Sequence, residues 1–140
     1  MKAKLKPMII IVGVVILLLG GTAFFLFQSK SKGKTATLSA DAIAANMVTT
    51  NPIVTDLTSG GFVQITFQIQ TDSTKAKDEL TKRDFQVREI AIRQMSGMTQ
   101  DQVKSPAGME KLETDMKTEI NKLMQNGKVV QIYTTNKMIQ

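Results

Sequence analysis

The chain of 140 residues contains no cysteine, no histidine and no tryptophan. Without Cys or His there is no thiol nucleophile, no disulfide framework, no zinc finger and no Ser/His/Asp triad. The length holds one domain of ordinary size and a short appendage, which excludes multidomain machinery. Glycine is present at Gly60-Gly61, but in no GxGxxG or GxxxxGK setting, so a phosphate cradle is not indicated. Scattered acids such as Asp72 and Asp101 lack the spacing of a calcium loop.

What the chain does have is one long uncharged run. Met8 to Phe27 reads MIIIVGVVILLLGGTAFFLF, and twenty helical residues at ~1.5 Å each span the ~30 Å hydrocarbon core of a bilayer. The spacing predicts a transmembrane helix over 8–27, preceded by a basic tail at 1–7. A cleaved secretory signal competes with this reading, because a basic start and small residues at Gly21 and Ala23 imitate a cleavage site. Continuation of the run through Phe24, Phe25, Leu26 and Phe27 favours a retained span. Lys2, Lys4 and Lys6 precede it and Lys30, Lys32 and Lys34 follow it, so flanking charge alone does not orient it. The short basic tail resists translocation whereas a long domain crosses largely regardless of charge, which predicts the N-terminus inside and the remainder outside. Gly13 and Gly20 fall on one side of the helix, either as a place for a second transmembrane helix to approach or simply because glycine is common in such spans.

Residues 28–37 (QSKSKGKTAT) form a polar tether with little to pack. Its lysines are also able to lie against anionic lipid head groups. The six lysines around the span account for the whole net charge of +6, since from Leu38 onward twelve Lys and Arg face twelve Asp and Glu. A pI near 9.7 therefore signals the membrane flanks and not a nucleic-acid surface.

The outer domain, 38–140, reads as α+β in the order strand, strand, helix, helix, strand, with the helices on one face of a small sheet. A short helical lead-in over Leu38–Met47 has Ser39 as N-cap. Ile53–Leu57 follows the Asn51-Pro52 break as a strand, and Thr58-Ser59-Gly60-Gly61 is a turn. In FVQITFQIQ, Val63, Ile65, Phe67 and Ile69 alternate with Gln64, Thr66, Gln68 and Gln70, so one face is built for burial. One long helix is expected from Asp72 or Ser73 to about Met95. Ala76, Leu80, Val87, Ile90, Ala91 and Met98 form its apolar stripe, with Phe85 and Ile92 widening it. Four acids sit four residues before a base on that helix: Asp78 and Lys82, Glu79 and Arg83, Asp84 and Arg88, Glu89 and Arg93. Ser105-Pro106 opens a second helix that Asn126-Gly127 ends, and Val129–Ile139 closes the domain as a strand. Met95, Met98, Met109, Met116 and Met124 read as core filler, with adaptable binding as the alternative.

Chemistry has little to stand on. The paired acids are the sole acid/base candidates, and as i,i+4 partners of Lys or Arg they read as a solvated, self-paired surface. No catalytic, cofactor-binding or metal-binding residue is assigned, and no small-molecule substrate.

A basic start, one span and a linker precede the strand start Gly60-Gly61-Phe62-Val63 and the strand end Gln70-Thr71-Asp72. Lys82-Arg83-Asp84, a helix start from Gly108 to Leu112, and Gly127-Lys128-Val129-Val130 through Ile139-Gln140 follow in order. This succession resembles the FliL family of bacterial flagellar basal-body-associated proteins over essentially the whole chain. The resemblance implies a single-pass protein of the cytoplasmic membrane with an outer domain similar to that of stomatin-type scaffolds. It further implies self-association into a ring around the stator proteins MotA and MotB, support of torque, swimming and swarming, and no cofactor. The alternative, motivated by the six flanking lysines, is a membrane-tethered extracytoplasmic module that binds lipid or cell-wall polymer.

Overall fold

The computed structural model describes residues 38–140; the tail, span and linker expected at 1–7, 8–27 and 28–37 lie outside the described residues. In chain order the elements are α1 (Ala40–Ala45), β1 (Met47–Thr49), β2 (Ile53–Asp56), β3 (Phe62–Thr71), α2 (Thr74–Lys82), α3 (Asp84–Ser96), α4 (Gln100–Lys104), α5 (Pro106–Leu123) and β4 (Val129–Ile139). The class is α+β, as expected. Among the described residues no helix is long and apolar enough to cross a membrane.

Alternation makes β3 the centre. Val63, Ile65, Phe67 and Ile69 are fully buried, and the helices pack over the face that carries them, through Leu80, Ile90, Met95, Leu112, Met116 and Ile120. All other strands pair with β3 antiparallel. β4 lies along one edge from Val63↔Ile139 to Thr71↔Val129, so β1 and β2 succeed each other along the other. The turn into β3 needs Gly60 and Gly61 in the left-handed region, at φ +84° and +83°.

β1 and β2 are one edge lane interrupted by a bulge. Partner numbers shift by one between Thr49↔Gln68 and Ile53↔Ile65, and the additional residue is accommodated at the exposed Asn51-Pro52. Buried Thr50 bridges the gap. Its N–H donates to the Phe67 carbonyl at 2.9 Å, and its Oγ1 accepts from the Phe67 N–H at 3.0 Å, standing where a ladder carbonyl would otherwise stand.

Several expectations are corrected. The lead-in helix is shorter than Leu38–Met47, because Met47 to Thr49 pair with β3 as a strand. The single helix to Met95 is two, interrupted at Arg83, where ψ opens to +14°. A short α4 stands before the second long helix, which ends at Leu123, ahead of Asn126-Gly127. Phe85 does not widen the buried stripe. At about 100° per residue it lies roughly 160° around the helix from buried Val87, and it is 70% exposed. Of the four acid–base pairs, Glu79–Arg83 and Glu89–Arg93 form, whereas Asp78–Lys82 and Asp84–Arg88 are not within ion-pair distance. Met95, Met109 and Met116 are buried, and Met98 and Met124 pack at the edge of the same core.

The bulge gives a direct test. Replacing Thr50 by Val keeps the shape but leaves the buried Phe67 N–H without an acceptor, and a cost of about 1–3 kcal/mol is expected. Thr50→Ser should recover most of it. Urea unfolding of residues 38–140 measures both, and a Thr50→Val variant as stable as the parent would contradict this role.

Candidate interaction surfaces

The most connected polar group of the domain is Glu79 on α2. Its side chain is 11% exposed and bonded to Arg83 Nε at 2.8 Å. Oε1 also accepts from the Gln125 N–H at 3.0 Å, and Oε2 accepts from the Asn126 N–H at 2.7 Å and Asn126 Nδ2 at 3.1 Å. Partial burial pushes the carboxyl up, but the Arg83 guanidinium and the Asn126 and Gln125 donors outweigh it and hold the group at about 2. The result is a clamp from α2 onto the loop between α5 and β4. A second clamp lies beside it, where Asp72 Oδ1 accepts from the Lys128 N–H at 3.1 Å. Gly127 between them has φ +96°, and a Cβ there would meet Asp72 Oδ1 at 2.4 Å. Reading Glu79 and Arg83 as a surface pair identified the partners but missed this loop-binding role, which depends on residues 46 and 47 positions away.

The outer edge of β4 is occupied by side chains rather than left open. Asn121 of α5 meets Val129 as a strand would, with Oδ1 accepting from its N–H at 2.7 Å and Nδ2 donating to its carbonyl at 3.0 Å. Two turns earlier on α5, Glu113 Oε1 accepts from the Thr134 N–H at 2.9 Å and from its hydroxyl at 2.8 Å. Lys137 Nζ reaches the Val103 carbonyl at 2.7 Å, near the end of α4. These contacts, with the register shift after Thr66, blunt the β4 edge against pairing with another strand, and the bulge at Asn51-Pro52 interrupts the opposite edge.

Three regions offer side-chain surfaces instead. On the uncovered sheet face, Val54, Gln64 and Met138 lie in one row across the strands beside exposed Phe62. At the corner between α2 and α3, Phe85 stands over an open depression with Lys75, Lys82 and Gln125. Between α3 and α5 lies a hollow of about 240 Å³ whose lining includes Met98, Leu112, Gln94, Lys111 and Asp115. Gln94 is one of the lining residues, and its Oε1 is closed to solvent with no hydrogen-bond partner, a cost of about 1–3 kcal/mol for an unsatisfied buried acceptor.

None of these is a reaction centre by its chemistry. Among the described residues no group of three or more Asp or Glu is placed to hold a metal ion. The juxtamembrane Lys2, Lys4, Lys6, Lys30, Lys32 and Lys34, with Gly13 and Gly20, lie outside the described residues. The three surfaces were not marked in the sequence by any motif; the one available signal was the helical phase that turns Phe85 away from the stripe.

Comparison with known proteins places the chain in a family context. The family described as "Flagellar basal body-associated protein FliL" matches residues 47–140. The "Flagellar protein FliL" of Bacillus subtilis (strain 168) is 36% identical over 122 residues, covering 87% of this chain and 87% of that protein.

The Glu79 clamp predicts an acid limb of stability. Because its folded pKa lies below the usual 4.5, the stabilisation is fully present above about pH 4.5 and is lost as pH falls from there towards 2. Thermal unfolding of Glu79→Gln should show a lower Tm at neutral pH and a flatter decline over that acidic window. An unchanged acid limb in the variant would contradict the assignment.

Proposed function

The chain belongs to the FliL family of flagellar basal body-associated proteins, and on that premise we propose that it is a non-enzymatic, single-pass membrane protein of the flagellar basal body. Its N-terminus lies on the cytoplasmic side and its α+β domain, of the stomatin-like type, outside. Copies associate into a ring around the stator proteins MotA and MotB and support torque, swimming and swarming. The observation that carries this reading is the family match across nearly the entire folded domain. The uncharged run at 8–27 between two groups of three lysines supports the anchor. Polar chemistry in the domain supports a scaffold, since its most perturbed carboxylate, Glu79, is committed to holding a loop.

A strain with this gene deleted in frame, compared with its complemented parent, tests the proposal. Reduced swimming in viscous medium, reduced swarming, and co-purification of the tagged protein with MotA and MotB from membranes are expected. Unchanged motility together with no stator protein in the purified fraction would overturn it.

A further inference from the structure

The loop between α5 and β4 carries the dipeptide Asn126-Gly127, with both residues exposed. Glycine is imposed at 127. Its φ of +96° lies in the left-handed region, and a Cβ there would press on Asp72 Oδ1 and on the Ala76 side chain. Asparagine is used at 126 as well, because its N–H and its Nδ2 both donate to Glu79 Oε2, at 2.7 and 3.1 Å. The fold thus holds a side-chain amide directly before a residue that has no side chain to shield its nitrogen. Among the described residues the Gly127 N–H donates no hydrogen bond. This is the arrangement in which a backbone nitrogen attacks the preceding amide, the reaction that makes asparagine a labile residue.

We propose that Asn126 is a site of spontaneous deamidation whose rate is set by the Glu79 clamp. The Gly127 nitrogen gives its proton to hydroxide and bonds to Asn126 Cγ. The Cγ–Nδ2 bond then breaks, and Nδ2 takes a proton from water and leaves as ammonia. Water opens the resulting succinimide: attack at Cγ gives aspartate, and attack at the main-chain carbonyl gives isoaspartate, with a carbon added to the backbone. A water is consumed and an ammonia released, with no change of oxidation state. While the clamp is closed the reaction is slow. Glu79 Oε2 holds the backbone N–H and the side-chain amide of Asn126 together, which restricts the rotation that brings Cγ to the next nitrogen. The carboxylates of Glu79 and Asp72 beside the loop also disfavour the negative charge on the attacking nitrogen and on the tetrahedral intermediate. Loss of the amide reverses the balance. A carboxylate then stands where Nδ2 stood, at hydrogen-bond distance from Glu79 Oε2, and two like charges do not share that site. The loop is expelled from α2, and the N–H groups at 125 and 126 lose their acceptor. The clamp therefore opens in one direction only, on a timescale set by its own chemistry.

Full-length protein in membranes, aged at mildly alkaline pH, tests this by peptide mass spectrometry of the tryptic fragment Leu123 to Lys128. Digestion in heavy-oxygen water marks any conversion that occurs during handling. Aspartate and isoaspartate should accumulate at 126 in the parent, several-fold more slowly than in the free peptide of the same sequence. Glu79→Gln, compared below its Tm, should bring the rate close to that of the peptide. Thr50→Val, which loosens the domain away from this loop, should leave the rate as in the parent. Asn126→Asp, which places the product's charge directly, should lower the Tm at neutral pH and recover as pH falls through about 4, where carboxyl groups take up protons. An aged parent with Asn126 intact, or one converted as fast as the peptide, would overturn the proposal. So would equal rates in the parent and Glu79→Gln, equal acceleration by Thr50→Val, or an Asn126→Asp variant as stable as the parent.

Discussion

β3 is the member on which the other strands depend, because among the described residues each of them pairs with it and with no other strand. Its inward residues Val63, Ile65, Phe67 and Ile69 form the floor of the core, in one cluster with Leu80, Ile90, Met116 and Ile120 of the helices. A one-residue slip of this strand would turn Gln64, Thr66 and Gln68 into the core, so its register is fixed by burial. The edge lanes are adjusted to it, on one side by the Thr50 bridge across a bulge and on the other by register shifts in β4.

A three-lane sheet has two edges, and an open edge invites pairing with another strand. Here polar side chains answer free backbone groups along the β4 edge. Asn121 and Glu113 reach from α5 to Val129 and Thr134, and Lys137 lies back to Val103. Glu79 and Asp72 do the same for the loop leading into β4. The charged residues of the domain therefore act more as fasteners between elements than as a reactive set. These fasteners tie the helical layer, the α5–β4 loop and β4 into one unit.

Much of the fold was readable wherever a local rule sufficed. The period-two alternation of β3, the Gly60-Gly61 turn, the Ser105-Pro106 helix start and the closing strand at Val129–Ile139 all appear where their residues indicate. The misses have long-range causes, or signals that are easily passed over. β1 has only three residues and exists because Gln68 to Gln70 lie beside it. The break at Arg83 has no Pro or Gly, and it stands one turn after Glu79, which is held by the α5–β4 loop. α4 did carry a mark in Thr99-x-x-Gln102, whose reciprocal capping box forms in the structure. Phe85 is as hydrophobic as the buried stripe, but its angle on the helix turns it to solvent. Of the candidate surfaces little was legible, since a hollow between α3 and α5 and an unpartnered Gln94 Oε1 arise only when two helices pack side by side.

The central claim is that side chains of α5 close the outer edge of β4, so that this edge does not pair with another strand. Electron cryomicroscopy of the full-length protein in membranes, at side-chain resolution, tests it most directly. The account predicts Asn121 bonded to Val129 and Glu113 bonded to Thr134 in every copy. A sheet running continuously from β4 of one copy into the next, with Glu113 and Asn121 displaced, would contradict it.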